Sequence, residues 1–157
     1  MMEYAADNYL PREELEKVGL LEPIERLEFL CAAIGGLVND FFSFEKEVLD
    51  AQSDFNLIQV FINNYSPDLD AAIVDAAQYV NSLYEEYKGL AVQVSEACAH
   101  YSWASLVHKH IQYMDESNMA VWVWQIDTQR YLRKQSIFTE LRIGDPYRTT
   151  QDLIAVS

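Results

Sequence analysis

One apolar stripe, running through residues 23–49, constrains this chain more than any other feature. Leu27, Leu30, Ile34, Leu37, Val38 and Phe41 recur at three- and four-residue spacings, the interval at which side chains stack on one face of an α-helix. Pro23 suits the first turn of such a helix, where a backbone N–H has no intrahelical partner to lose. The spacing predicts one long helix from Pro23 to near Leu49. Gly35-Gly36 inside it costs about 1 kcal/mol each relative to alanine, which marks either close backbone packing or a tolerated weakness.

The rest of the chain reads the same way. Glu3–Tyr9 is a short helical piece ended by Leu10-Pro11. Pro11-Arg12-Glu13-Glu14 opens another short helix, with acids at its positive dipole end, and it fades at Gly19. A connector over 51–67 carries a short apolar piece, Leu57–Ile62. Ser66-Pro67-Asp68 starts a helix that runs to about Ala99. A last helix is expected from Ser102 to Arg133, bent near Asp115–Asn118. Only 5 glycines and 4 prolines punctuate 157 residues, so the chain reads as all-α, with a domain over 1–143 and a loop-like tail over 144–157. There is no internal repeat and no low-complexity run.

Charge excludes several functions. With 11 Lys+Arg against 25 Asp+Glu the formal net charge is −14, a surface that repels nucleic acid and anionic lipid. No uninterrupted apolar run is long enough to span a bilayer, and the start, Met1-Met2-Glu3-Tyr4, has no signal-peptide pattern. Cys31 and Cys98 form no disulfide framework and read as buried thiols. A cytoplasmic protein is expected.

The chemistry concentrates in Asn39-Asp40-Phe41-Phe42-Ser43-Phe44-Glu45-Lys46-Glu47. At about 100° per residue, with Asn39 at zero, Ser43 lies near 40°, Glu47 near 80° and Lys46 near −20°. Phe41 and Phe44 point elsewhere and Glu45 falls opposite. An amide oxygen, a hydroxyl and a carboxylate on successive turns are hard oxygen donors suited to Mg²⁺ shared with phosphate oxygens. The same residues also describe a solvated helix stripe, and spacing alone does not decide between the two.

These nine residues resemble the second metal motif of class I terpene synthases: Asn or Asp, Asp, two residues, Ser or Thr, three residues, Glu, often with Lys before the Glu. Trp124-Gln125-Ile126-Asp127-Thr128-Gln129-Arg130-Tyr131 resembles the Arg-Tyr pair of the microbial members, with a Trp six residues ahead of the Arg. The resemblance covers Glu3 to about Arg142, with a fungal or bacterial flavour. It implies that Asn39, Ser43 and Glu47 hold Mg²⁺, that Lys46, Arg130 and Tyr131 bind diphosphate, and that Trp124 lines the apolar pocket. The implied reaction is ionisation and cyclisation of a prenyl diphosphate, farnesyl diphosphate giving a sesquiterpene. The implied fold is the C-terminal part of the family's α-helical barrel.

The chain departs from the family in one respect. The Asp-rich first metal motif, which lies upstream in the family, has no counterpart; Asp68-Leu69-Asp70 and Asp145 have neither its pattern nor its place. An incomplete barrel is therefore expected, unable to ionise substrate alone, with apolar faces exposed to self-association. The alternative is a truncated, non-catalytic helical module. A chain-elongating prenyltransferase would show a second Asp-rich run at 39–47, and this chain does not. His108 and His110 point to different helix faces and form no joint site. Trp103 and Trp122 are expected in the core, Tyr79, Tyr84 and Tyr87 in packing, and Asp127 beside Arg130.

Overall fold

Helices account for the secondary structure of residues 10–138 and 141–142, which the computed structural model describes. The order is α1 (Arg12–Lys17), α2 (Leu21–Phe44), a π-helical segment (Glu45–Asp50), α3 (Leu57–Asn64), α4 (Leu69–Cys98) and α5 (Ala104–Asp127). No strand occurs among the described residues, and only an isolated bridge joins Arg133 to Arg142. The expected helix at Glu3–Tyr9 and the tail over 144–157 lie outside the described residues.

Local chemistry explains the boundaries. Gly19 ends the turn after α1 at φ +75°, a conformation that side chains with a Cβ resist. Asp68 Oδ1 accepts the Ala71 N–H at 2.9 Å at the start of α4, as a capping residue should. The connector expected over 51–67 contains α3, because Asn56 caps it by accepting the Ile58 N–H at 3.0 Å. α5 runs through 115–118 without a break and stops at Asp127, short of the expected Arg133. Thr128 lies past that end, and its Oγ1 accepts the Arg130 N–H at 3.4 Å. Such side-chain-to-backbone bonds compete with helix continuation.

Two compact units divide the chain: residues 1–36 with 78–119, and residues 37–77 with 120–157. In the first unit Leu15, Ile24, Leu27, Leu30, Val94 and Val107 are buried. Tyr87 is buried with them and its hydroxyl donates to Asp115 Oδ1 at 2.8 Å. Desolvation and that carboxylate hold the phenol well above its usual range. Arg12 reaches Glu25 and Glu28, and His110 Nε2 lies 3.0 Å from Glu28 Oε1. His108 instead faces the Ser95 carbonyl, so the two histidines have separate surroundings. In the second unit Val38, Phe44, Leu57, Ile58, Ala72 and Leu141 are buried.

Several expectations need correction. Trp122 is exposed and Trp103 half-buried, stacked on Tyr101 rather than in the core. Tyr87 is the buried member of the tyrosine series; Tyr84 is more exposed but stacks on it with ring centroids 6.5 Å apart, and Tyr79 is 45% exposed. Cys98 is buried but Cys31 only partly so. One segment, Leu21–Asp50, is long and apolar enough by length and composition to cross a membrane. Nine charged residues lie within it, Glu28 and Asp40 breaking its most apolar stretch, so the expectation that no uninterrupted apolar run spans a bilayer stands. Within the protein its apolar stripe, Leu27, Leu30, Ile34 and Val38, is already buried.

The paired glycines of α2 show no tight approach. A Cβ on Gly36 would meet nothing within 4 Å, and one on Gly35 only Asn118 Oδ1 at 3.5 Å. Gly36→Ala should therefore stabilise the protein by up to about 1 kcal/mol in urea unfolding. A loss of stability would mean that the α2 backbone is more crowded than this geometry allows.

Candidate functional site

The polar face of α2 in the second unit carries the candidate site. Asn39 sits half-buried near the end of α2, and its Nδ2 donates to Tyr131 OH at 3.0 Å across 92 residues of sequence. The amide nitrogen donates there, and among the described residues no hydrogen bond uses Asn39 Oδ1, which leaves it as an acceptor. One turn on, Ser43 is 1% exposed and its Oγ has no hydrogen-bond partner among the described residues. A buried orphan hydroxyl costs about 1–3 kcal/mol and calls for an explanation.

Glu47 lies inside the π-helical segment rather than on a regular α turn. A π turn is wider, so each residue advances through a smaller angle than in an α-helix. From Glu45 onward this draws Glu47 back toward the line of Ser43, nearer than an α-helical wheel places it. Such single π turns are frequent at functional sites. The Glu47 carboxylate is half-buried, with a long contact of 3.4 Å from Asn56 Nδ2.

The residue between Asn39 and Phe41 has a different task. Asp40 Oδ2 accepts the Leu57 N–H at 2.7 Å, while Asn56 Nδ2 donates to the Asp40 carbonyl oxygen at 2.8 Å. Asp40 therefore ties the first turn of α3 to α2. Burial lifts its carboxyl above the usual range, the Leu57 N–H pulls the other way, and the nearby Glu47 charge adds to the rise.

The chain beyond α5 folds back against the same helix. Tyr131 is 4% exposed, its ring tilted 6.4 Å from Phe42 and edge-on to Trp124 at 6.2 Å. Arg133 pairs with Asp50 through both guanidinium nitrogens, one contact at 3.1 Å. That fork raises the Arg133 pKa and lowers that of Asp50. Glu45, which the helical wheel leaves on the far side, is 4% exposed and doubly bonded to this segment. It accepts Ser136 Oγ at 2.6 Å and the Ile137 N–H at 3.0 Å. Sequence reasoning missed Glu45 and Asp40; a carboxylate opposite the donor arc, flanked by Phe44, was the available signal for the first.

Lys46 and Arg130 are exposed, and among the described residues no ion pair engages either one. Arg130 is not on a helix as expected but in a turn, its guanidinium 5.6 Å from the Tyr131 ring centroid, and no ion pair joins it to Asp127 among the described residues. Trp124 is 53% exposed. Among the described residues no three His, Cys, Asp or Glu side chains gather as a metal cluster. Asn39, Ser43 and Glu47 offer one carboxylate between them, so their fit to a hard cation rests on neutral oxygens and on charge brought by an anion. The cleft between Gly19 and Gln93 in the first unit is a poor alternative. Its Arg26 is forked onto Glu86 at 2.7 and 2.9 Å, and Glu22 and Glu85 add further negative charge against any phosphate.

A family model described as terpene synthase family 2, C-terminal metal binding, matches residues 1–86 of the 157. The match includes Asn39–Glu47 and stops short of Arg130-Tyr131. No curated protein and no solved structure matches the chain.

The Asp40 tether is directly measurable. Asp40→Ala should cost about 1–2 kcal/mol in urea unfolding, since it strands the Leu57 N–H. Asp40→Asn, which keeps an acceptor oxygen, should recover most of that loss. Equal losses from both would show that the bond to Leu57 is not what holds α3.

Proposed function

We propose, since this chain belongs to the terpene synthase family through a C-terminal metal-binding region, that its second unit binds Mg²⁺ with a prenyl diphosphate for ionisation and cyclisation. The observation that carries the reading is Ser43 Oγ, buried and without a partner among the described residues, on the arc it shares with Asn39 and Glu47. A hydroxyl oxygen retained at that cost is accounted for by a ligand that accepts its lone pair. Asn39 Oδ1 and the Glu47 carboxylate complete a set of hard donors on the same arc.

Each residue then has a role. Asn39, Ser43 and Glu47 hold the cation, and when bound it would take up negative charge developing on the diphosphate as the carbon–oxygen bond breaks. Arg130 grips phosphate oxygens with its planar fork, while Lys46 adds a point charge. Tyr131 OH is within reach of the anion from its bond to Asn39. Trp124 presents an aromatic face on which a carbocation is stabilised. Farnesyl diphosphate, giving a sesquiterpene in the cytoplasm, is the substrate we favour. Leu49, Phe55, Tyr65, Trp122 and Trp124 are exposed, and they favour self-association of the chain.

A second reading, a module that binds metal without turnover, is favoured by the single carboxylate among Asn39, Ser43 and Glu47, the described residues holding no cluster of three His, Cys, Asp or Glu side chains. Incubation with Mg²⁺ and geranyl, farnesyl or geranylgeranyl diphosphate, with analysis of volatile products, separates the two. Cyclic products support the enzyme; pyrophosphate binding without products supports the module.

Ser43→Ala gives a two-sided check. In the metal-free protein it should raise stability by about 1 kcal/mol, because it removes an unsatisfied buried hydroxyl. It should also weaken Mg²⁺-dependent pyrophosphate binding about tenfold or more. Reduced stability with unchanged binding would mean that Ser43 is an ordinary packed residue.

A further inference from the structure

The nine-residue motif has a second face that the metal reading leaves unused. Glu45 is buried at 4% exposure, and both of its carboxylate oxygens accept from the segment after α5. Ser136 Oγ, besides donating to Glu45, accepts the Phe138 N–H at 3.1 Å. The Ser136 carbonyl takes Arg142 Nε at 2.8 Å, and the Arg133 N–H donates to the Leu141 carbonyl at 3.0 Å. Residues 131–138 with 141–142 therefore form a strap with its own internal bonds. It is tied to the 39–50 helix at three places: Tyr131 to Asn39, Arg133 to Asp50, and Ser136 and Ile137 to Glu45.

Asn39 and Glu45 lie on different sides of that helix, so a strap touching both must wrap partly around it. A buried carboxylate without donors would be costly, and these two bonds make the Glu45 position stringent. Arg130 and Tyr131 stand at the start of this strap. Their placement against the donor arc therefore depends on how firmly its far end is held.

We infer that Glu45 is a positioning residue for diphosphate recognition: it anchors the strap that presents Arg130 and Tyr131 to the arc of Asn39, Ser43 and Glu47. This rests on the reading of the site given under Proposed function. Glu45 touches neither metal nor diphosphate in this role. Its loss should weaken anion binding while sparing the metal donors.

The test uses the full chain and its Glu45→Ala variant. Two affinities are measured, inorganic pyrophosphate at fixed saturating Mg²⁺ by calorimetry, and Mn²⁺ alone by electron paramagnetic resonance. Glu45→Ala should lose about tenfold or more in pyrophosphate affinity and keep its Mn²⁺ affinity. Glu45→Gln should recover much of the loss, since its amide can accept from Ile137 N–H and donate to Ser136 Oγ. If Glu45→Ala does not fold, Ser136→Ala replaces it, with about a fivefold loss expected from one missing bond. Unchanged pyrophosphate affinity in a folded variant, whatever its melting temperature, overturns the inference and leaves the site reading intact. An equal loss of Mn²⁺ affinity also overturns it, by placing Glu45's effect on the metal helix. A wild-type chain that binds no pyrophosphate overturns the site reading and this inference together.

Discussion

The hydrogen bond from Asn39 Nδ2 to Tyr131 OH joins two parts of the chain 92 residues apart, and much of the second unit's polar chemistry is arranged around it. It orients the Asn39 amide, whose nitrogen donates to the phenol. It gives a buried tyrosine hydroxyl the partner that burial requires. It also fixes where the strap after α5 begins, before Arg133 and Ser136 make their own attachments to the same helix. A neutral bond of this kind contributes only about 1 kcal/mol to stability. Its weight lies in geometry.

Nine consecutive residues serve three neighbours because a helix distributes them around its circumference. Asn39, Ser43 and Glu47 face one arc. Asp40 turns to the N-terminus of α3 and Glu45 to the strap, while Phe44 is buried in the second unit's core. The π-helical segment from Glu45 bends this distribution and draws Glu47 toward the line of Ser43. In such a crowded arrangement each buried polar atom needs a partner. Within the motif Asp40 and Glu45 have theirs; Ser43 Oγ has none among the described residues, and neither does Gln125 Oε1 of α5. The proposed metal site accounts for the first of these.

The long helices were legible because apolar periodicity states them directly. Leu27, Leu30, Ile34 and Val38 are buried as their spacing requires, Leu37 and Phe41 of the same stripe only half-buried, and Asp68 does cap α4. The motif that carries the resemblance, Asn39–Glu47, was also readable as residues at fixed intervals, and it lies within the family match. Contacts between distant segments were not. Nothing local to Glu45 announces Ser136 and Ile137, and nothing local to Asp40 announces Leu57. α3 was hidden because its cap, Asn56, follows a polar loop and its body spans only Leu57–Asn64. The end of α5 was misplaced because residues 128–133 contain no Gly or Pro to mark a stop. Thr128 Oγ1 accepts the Arg130 N–H just past that end, a contact that composition does not display.

The central claim is that a divalent cation and diphosphate meet at the Asn39–Glu47 face and not elsewhere on a strongly acidic surface. Two-dimensional amide NMR of the full chain, with substoichiometric Mn²⁺ added in the presence of inorganic pyrophosphate, tests it directly. Paramagnetic broadening centred on residues 39–47 and 130–131 is the predicted result. Broadening spread over exposed carboxylates, or centred on Glu22, Glu85 and Glu86 of the first unit, would contradict the account.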